Sequence, residues 1–368
     1  MRVAIFAIVI SISEVLISER IYLDHAATTP LRPEARAAME EGFRIWANPS
    51  SPHAEGRKAK QALEDARDRV KKALGWHGEV IFTSGASEAA ALAIHHAKVD
   101  RKAVSEVEHD AVFLDGLGTF DAIMPVESDG SISREACYEA VGAIGTSPED
   151  RKWRTLVCLQ HVNSETGMQL RVGKARRVLA NFDITTLCDC SQSAGKLELP
   201  ESDMVIISAH KLGGPVGIGA LLVRDFGLLQ PSGGHERGYR RGTENLPAAM
   251  GFAAALENSE WQTSADQREV FFGQLGDARL SLGEQTNYIG ALTHSSLSAQ
   301  ALLIRLDAMG IAVSAGSACS SGTLKKSRVL DAFGVDDDTA ARTIRVSIGW
   351  NTTPSELERF AEAWRSLS

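Results

Sequence analysis

Six short apolar runs constrain this chain most. They are Val80-Phe82, Ala103-Ser105, Thr155-Leu159, Ile184-Leu187, Met204-Ile207 and Gly219-Val223, and the stretches between most of them read as helix. Short continuous runs of this kind suit strands buried on both faces. Strands separated by helices build a mostly parallel sheet with helices on either side, so an α/β domain is expected. One such helix is Lys58 to Leu74, where Ala59, Leu63, Ala66, Val70 and Leu74 recur at three- or four-residue spacing. After about Glu257 the pattern turns to longer helices and fewer strands, which predicts a second, smaller domain. The expected division is an N-terminal extension over 1–20, a large domain over 21–257 and a small α+β domain over 258–368. The last helix is marked by Thr353 as cap, Pro354 in the first turn and Glu356 completing a capping box.

With 368 residues, 44% of them hydrophobic, the chain can bury a large core. A net charge of -8 argues against nucleic-acid binding. Five irregularly spaced cysteines make no disulfide framework and fit reduced thiols in a cytoplasmic enzyme. Cys188 and Cys190 fall on one face of a strand-like run with Asp189 on the other. They read as core thiols in preference to metal ligands. Val3 to Ile12 is nearly all apolar, like a signal peptide, but no small-x-small cleavage pattern follows. It is also too short to span a membrane. A buried strand or an upstream extension is expected there, and no membrane partner.

The chemistry gathers at strand ends. Lys211 stands in Ser208-Ala209-His210-Lys211-Leu212-Gly213-Gly214-Pro215, directly after the Met204-Ile207 run. An isolated loop lysine is ordinarily a solvated cation. A lysine that ends a buried strand can be an unprotonated amine, able to form a Schiff base. Thr83 to Glu88 joins a strand to a helix, and backbone N–H groups at a helix start bind phosphate. Asp189 ends another strand, His109 follows a further one, and His210 precedes Lys211. Ligands of open α/β sheets bind beyond the carboxyl ends of the strands. A phosphate cradle, an aspartate, two histidines and a lysine together suit pyridoxal 5'-phosphate.

The chain resembles the cysteine desulfurases, the class V branch of fold-type I pyridoxal-phosphate enzymes. The likeness lies in Tyr22 to Pro30, Asn48 to Ser51 with His53, Thr83 to Glu88, Glu108-His109, Val162 to Gly167, Asp189 to Lys196, Ser208 to Gly219, Gly234 to Asn245 and Ser314 to Gly322, in family order. The resemblance implies that Lys211 carries the cofactor, His109 stacks on its ring and moves protons, Asp189 pairs with the pyridine nitrogen and Gln192 bonds the ring hydroxyl. Ala86, Ser87, Ser208 and His210 would hold the phosphate, with Thr243 reaching in from a second subunit of a homodimer. Arg345 would grip the carboxylate of L-cysteine beside Asn163 and Ser164. Cys319, in Gly316-Ser317-Ala318-Cys319-Ser320-Ser321-Gly322, would take the sulfur as a persulfide and pass it to an acceptor protein. Small flanking residues suit a mobile loop carrying that thiol. Three departures stand out: Ser164 replaces a usual asparagine, Ala89-Ala90 replace polar residues, and Cys190 stands where a small apolar residue is common. Two other readings remain open: a selenocysteine lyase or class V aminotransferase, and a non-catalytic cofactor-binding partner. Ser164 and a chain that stops soon after its last helix begins would fit the latter.

Overall fold

The computed structural model describes residues 20–114, 118–143, 153–315 and 327–367. The apolar Val3 to Ile12 segment and Cys319 lie outside the described residues. The strands are β1 (Ile21–Tyr22), β2 (Glu79–Thr83), β3 (Arg101–Ser105), β4 (Ala122–Met124), β5 (Thr155–Gln160), β6 (Ile184–Asp189), β7 (Met204–Ser208), β8 (Gly219–Val223), β9 (Ile289–Thr293), β10 (Ile311–Ala312) and β11 (Thr343–Ser347). Seven of them form the main sheet in the order β2-β8-β7-β6-β5-β3-β4. Neighbours from β7 through β4 pair in parallel, and only β8 runs against its neighbours.

Alternate residues of each strand enter different apolar clusters, which is why the runs are continuous and not alternating. Val80, Phe82, Val157, Leu159, Val205 and Ile207 pack on one face, with Ala59, Leu63 and Phe252 from two long helices. Ile81, Leu156, Cys158, Met204 and Ile206 pack on the other. The Ala86–His96 helix covers that second face with Ala89, Ala90, Ala93 and Ile94. Ala89 and Ala90 are therefore core residues: they let this helix lie close to the sheet. Cys188 and Cys190 share one face, as alternation predicts, with sulfurs 3.7 Å apart and no exposed surface. The expected Lys58 to Leu74 helix begins four residues earlier, at Ala54, because His53 Nδ1 accepts from the Gly56 N–H and caps it.

Another apolar cluster gathers Phe271, Phe272, Leu302, Ile344, Phe360 and Trp364. It contains more strand than periodicity suggested: β9 and β11 pair antiparallel, and β10 pairs in parallel with β1. Ile21, Leu23 and Ala26 belong to this cluster too, so the start of the described chain packs with its C-terminal third. The last helix forms as expected. Thr353 N–H donates to Glu356 Oε2 (2.7 Å) and the Glu356 N–H donates to Thr353 Oγ1 (3.3 Å). No helix of the described residues is long and apolar enough to cross a membrane.

Candidate active site

The strand directions set the location of the site. β2, β3, β5, β6 and β7 all end at the same edge of the sheet, and a cavity of about 770 Å³ opens there. Ala86, Ser87, His109, Ser164, Asp189, Ser208, His210, Lys211 and Arg345 all line it. Nine residues expected from the sequence thus converge. Three others do not line the cavity. Asn163 is buried, and its Oδ1 accepts from the N–H groups of Glu165 and Thr166 (both 3.0 Å), so it shapes the turn that carries Ser164. Gln192 is also buried and donates from Nε2 to the Ala26 carbonyl (2.9 Å), while its Oε1 has no partner among the described residues. Thr243 is exposed.

At the phosphate end, the Ala86–His96 helix starts soon after β2, its first N–H groups have no helical partner, and Ser84 to Glu88 line the cavity. Gly219 allows the close approach needed here, since a Cβ at that position would lie 2.9 Å from Gly85 Cα. Glu88 ties the cradle together by accepting from the Ser84 N–H and, at 2.9 Å, from Arg240 Nε. His210 shares a hydrogen bond through Nδ1 with Thr28 Oγ1 (3.2 Å), which leaves Nε2 for the cavity. Burial, then the charge of Lys211, brings its imidazole down to about 4. A neutral imidazole and backbone N–H groups can donate to an anion without bringing a competing charge of their own.

At the other end sits Lys211. Burial pulls its amine below the ordinary lysine value; Asp189 opposes this and Arg345 adds to it. Asp189 Oδ1 accepts from the Ser191 N–H (2.8 Å), which fixes the carboxylate at the end of β6. His109 Nδ1 accepts from the Ala111 N–H (3.0 Å), so the neutral ring carries its proton on Nε2. Burial, then Lys211, holds that imidazole below its usual value. A cradle for an anion, a poised amine, a fixed carboxylate and a flat ring at one cavity fit pyridoxal phosphate.

Several residues on or beside this cavity had no assigned role in the sequence: Glu165 and Arg328 line it, and Asp24 reaches Arg345. Arg345 Nη2 donates to Asp24 Oδ1 (2.7 Å) and Nη1 donates to the Ser164 carbonyl (3.1 Å). Asp24 stands inside the Tyr22-Pro30 motif, so a signal was present. Arg328 donates to the carbonyls of Glu106 and Glu108 and covers Phe113, its guanidinium 4.0 Å from the ring centroid. It braces the His109 turn, and no motif marked it. Glu165 Oε2 accepts from Ser327 Oγ (2.6 Å), and burial raises its pKa.

Ser164 meets Arg345 through its backbone carbonyl, a contact any residue supplies. Ser164→Asn is therefore expected to leave that contact intact and add amide donors to the cavity. One added hydrogen bond is worth about 1 kcal/mol, so KM for the amino-acid substrate that the resemblance implies is expected to fall several-fold or stay level. A large loss of turnover would assign Ser164 a role of its own.

Glu108 is fully buried, with Oε1 accepting from Ser105 Oγ (2.8 Å) and Oε2 unpartnered among the described residues. Burial, then the Asp189 charge, pushes its carboxyl well above the ordinary glutamate value. The folded state therefore favours the protonated form. The stability this contributes is complete below the unfolded pKa, about 4.3, and is lost as pH rises toward the folded value. Glu108→Gln keeps the shape and the Ser105 bond without an ionisable group. Its melting temperature is expected to exceed the parent's by about 2 °C or more at pH 8, and to differ less at pH 5. An equal difference at both pH values would mean that Glu108 is ionised in the fold.

The profile of the family described as Aminotransferase class-V matches residues 21–360. The chain is 32% identical over 388 residues to "Cysteine desulfurase IscS" of Dictyoglomus turgidum, covering 95% of this chain and 96% of that one. It is 34% identical to the "IscS-like cysteine desulfurase" of Mycobacterium tuberculosis, covering 93% and 94%. Among solved structures, a NifS-like protein from Rickettsia africae superposes with a TM-score of 0.81 at 25% identity, over 95% of this chain and 99% of that one. A structure titled "SspA in complex with cysteine" superposes with a TM-score of 0.74 at 29% identity, over 90% and 100%. With this match, this sheet order and this strand-end lysine, the chain belongs to the cysteine desulfurases of the class V aminotransferase family.

Proposed function

We propose that the protein is a pyridoxal-phosphate-dependent cysteine desulfurase that converts L-cysteine to L-alanine. The observation that carries this reading is the convergence of Lys211, Asp189, His109 and Arg345 on one cavity. When bound, the cofactor supplies an electron sink for charge developing at the substrate Cα. The protein's residues supply the rest. The Lys211 amine, lowered by burial, is suited to accept the Cα proton. His109, protonated at Nε2 when neutral, holds or moves a proton at that atom. Arg345 is fixed by Asp24 and Ser164, and each terminal nitrogen keeps a further N–H for the substrate carboxylate. The Cys319 thiolate takes the sulfur: the substrate Cβ–S bond breaks, an S–S bond to Cys319 forms and Cβ takes up a proton. No outside oxidant is needed, because the sulfur leaves oxidised relative to thiol as the substrate carbon is reduced to alanine's methyl.

The same reading takes 21–257 as the cofactor-binding segment and 258–368 as the segment carrying Cys319 and Arg345. It places the enzyme in the cytoplasm, acting with a sulfur-acceptor protein. It also takes the protein as a homodimer, in which the exposed Thr243 completes the partner's phosphate site. Sedimentation of the cofactor-loaded protein is expected to show a dimer; an active monomer would remove Thr243 from the site. The decisive assay is incubation with L-cysteine and a thiol reductant. Alanine and sulfide are expected in equal amounts. Loaded protein that yields neither would overturn the reading.

A further inference from the structure

Lys211 borders two cavities. One is the active-site cleft. The other, of about 10 Å³, is close to the smallest that admits one water molecule. Its walls include Arg32, Thr29, Asn258, Trp350 and a second lysine, Lys196, which does not line the cleft. Lys196 closes the Asp189-Lys196 motif, yet the reaction as derived above gives it no task.

Its surroundings are unusual for a structural lysine, which would ordinarily meet a carboxylate. Lys196 Nζ lies 5.1 Å from the Tyr288 ring centroid. The titratable and charged groups facing it are Lys211, Arg32, His25 and Tyr288. Arg32 spends its hydrogen bonds on the carbonyls of Leu212 (3.3 Å) and Glu260 (3.2 Å) and stacks on Trp350, while the carboxylates of Glu34 and Glu260 act on it through space. His25 is buried and neutral: burial, then Lys196, brings it down to about 3. Tyr288 donates its hydroxyl to the Gln192 carbonyl (3.2 Å), and burial holds it in the phenol form. Burial, then the charges of Lys211 and Arg32, brings the Lys196 amine down to about 7.

We propose that Lys196 is a positioning residue for Lys211: the two lysines line one water-sized cavity, and charge on Lys196 keeps the Lys211 nitrogen free for cofactor and substrate. A like charge nearby disfavours the charged form of an amine. The inference rests on the reading of Lys211 as the cofactor's attachment point.

The test is the visible absorption of the cofactor bound to the full-length protein, followed against pH in the parent, Lys196→Met and Lys196→Arg. A cation beside Lys211 lowers the pH at which its cofactor-linked nitrogen gives up a proton. Methionine fills similar space without charge, so the midpoint is expected to rise by about one pH unit. Arginine cannot lose its charge, so the midpoint is expected to fall below the parent's. Midpoints that coincide in all three proteins would overturn the proposal, since a merely structural lysine would alter melting temperature without moving them. Should the methionine variant not fold, the arginine variant decides alone: a midpoint that does not fall overturns the proposal. Failure of the underlying reading looks different: the parent itself would then show no protein-bound cofactor band and make no alanine.

Discussion

Lys211→Ala is expected to leave a folded protein that no longer holds pyridoxal phosphate covalently, with turnover of L-cysteine reduced by about 10³-fold or more. On the proposed reading two functions disappear together: the amine that links the cofactor and the base beside the substrate Cα, each worth orders of magnitude. Borohydride reduction should fix the cofactor to the parent chain and leave the variant unlabelled. Lys196 cannot take over, because it borders the small cavity and not the cleft. Cofactor fixed to Lys196 in the parent, or near-parent alanine production by the variant, would remove Lys211 from the centre of the mechanism.

Cys319→Ser is expected to keep the cofactor's colour and the spectral change on adding L-cysteine, since the proposed function assigns those steps to Lys211 and Arg345. Alanine formation should fall by at least about 100-fold, because a hydroxyl is a far weaker nucleophile than a thiolate. The other four cysteines are poor substitutes. Burial raises the thiol pKa of Cys158 and Cys188 well above the ordinary value and that of Cys137 to about 11. Cys190 differs from what burial alone predicts. Its burial is outweighed by hydrogen bonding with Cys188 and His161, so its thiol is pulled down. It remains without exposed surface, and its sulfur faces the core, not the cleft. A variant that keeps only Cys319 should therefore still make alanine. Near-parent turnover in Cys319→Ser would point to direct elimination in place of sulfur transfer.

The large sheet was legible because each buried strand carries side chains to two apolar clusters, which leaves an unbroken hydrophobic run. β4, with Ile123 half exposed at the sheet's edge, leaves no such run and was not foreseen. β9 and β11 were missed for a related reason: Gly290, Arg345 and Ser347 interrupt or polarise them. β10 has two residues only, and its partner β1 lies far away in sequence. Strand ends revealed Lys211, Asp189 and His109, because position after an apolar run is visible in one dimension. Arg328 was not visible, since its role is to reach carbonyls more than 200 residues away. Asn163 and Gln192 show the converse. Their motifs were recognisable, but their side chains serve the turn and the Ala26 backbone in this structure.

The Asp24–Arg345 pair joins residues 321 positions apart in sequence. At about 5–20 residues per second, a ribosome takes roughly 16–64 s to make the second partner after the first. Through most of that interval the sheet and Lys211 can assemble while β1 has no β10 to pair with, and Asp24 has no guanidinium to hold until its end. The segment at residues 21–26 is thus synthesised early and secured last. An unfinished chain would acquire its cofactor lysine before its carboxylate grip, and so could hold pyridoxal phosphate before it is able to select an amino acid.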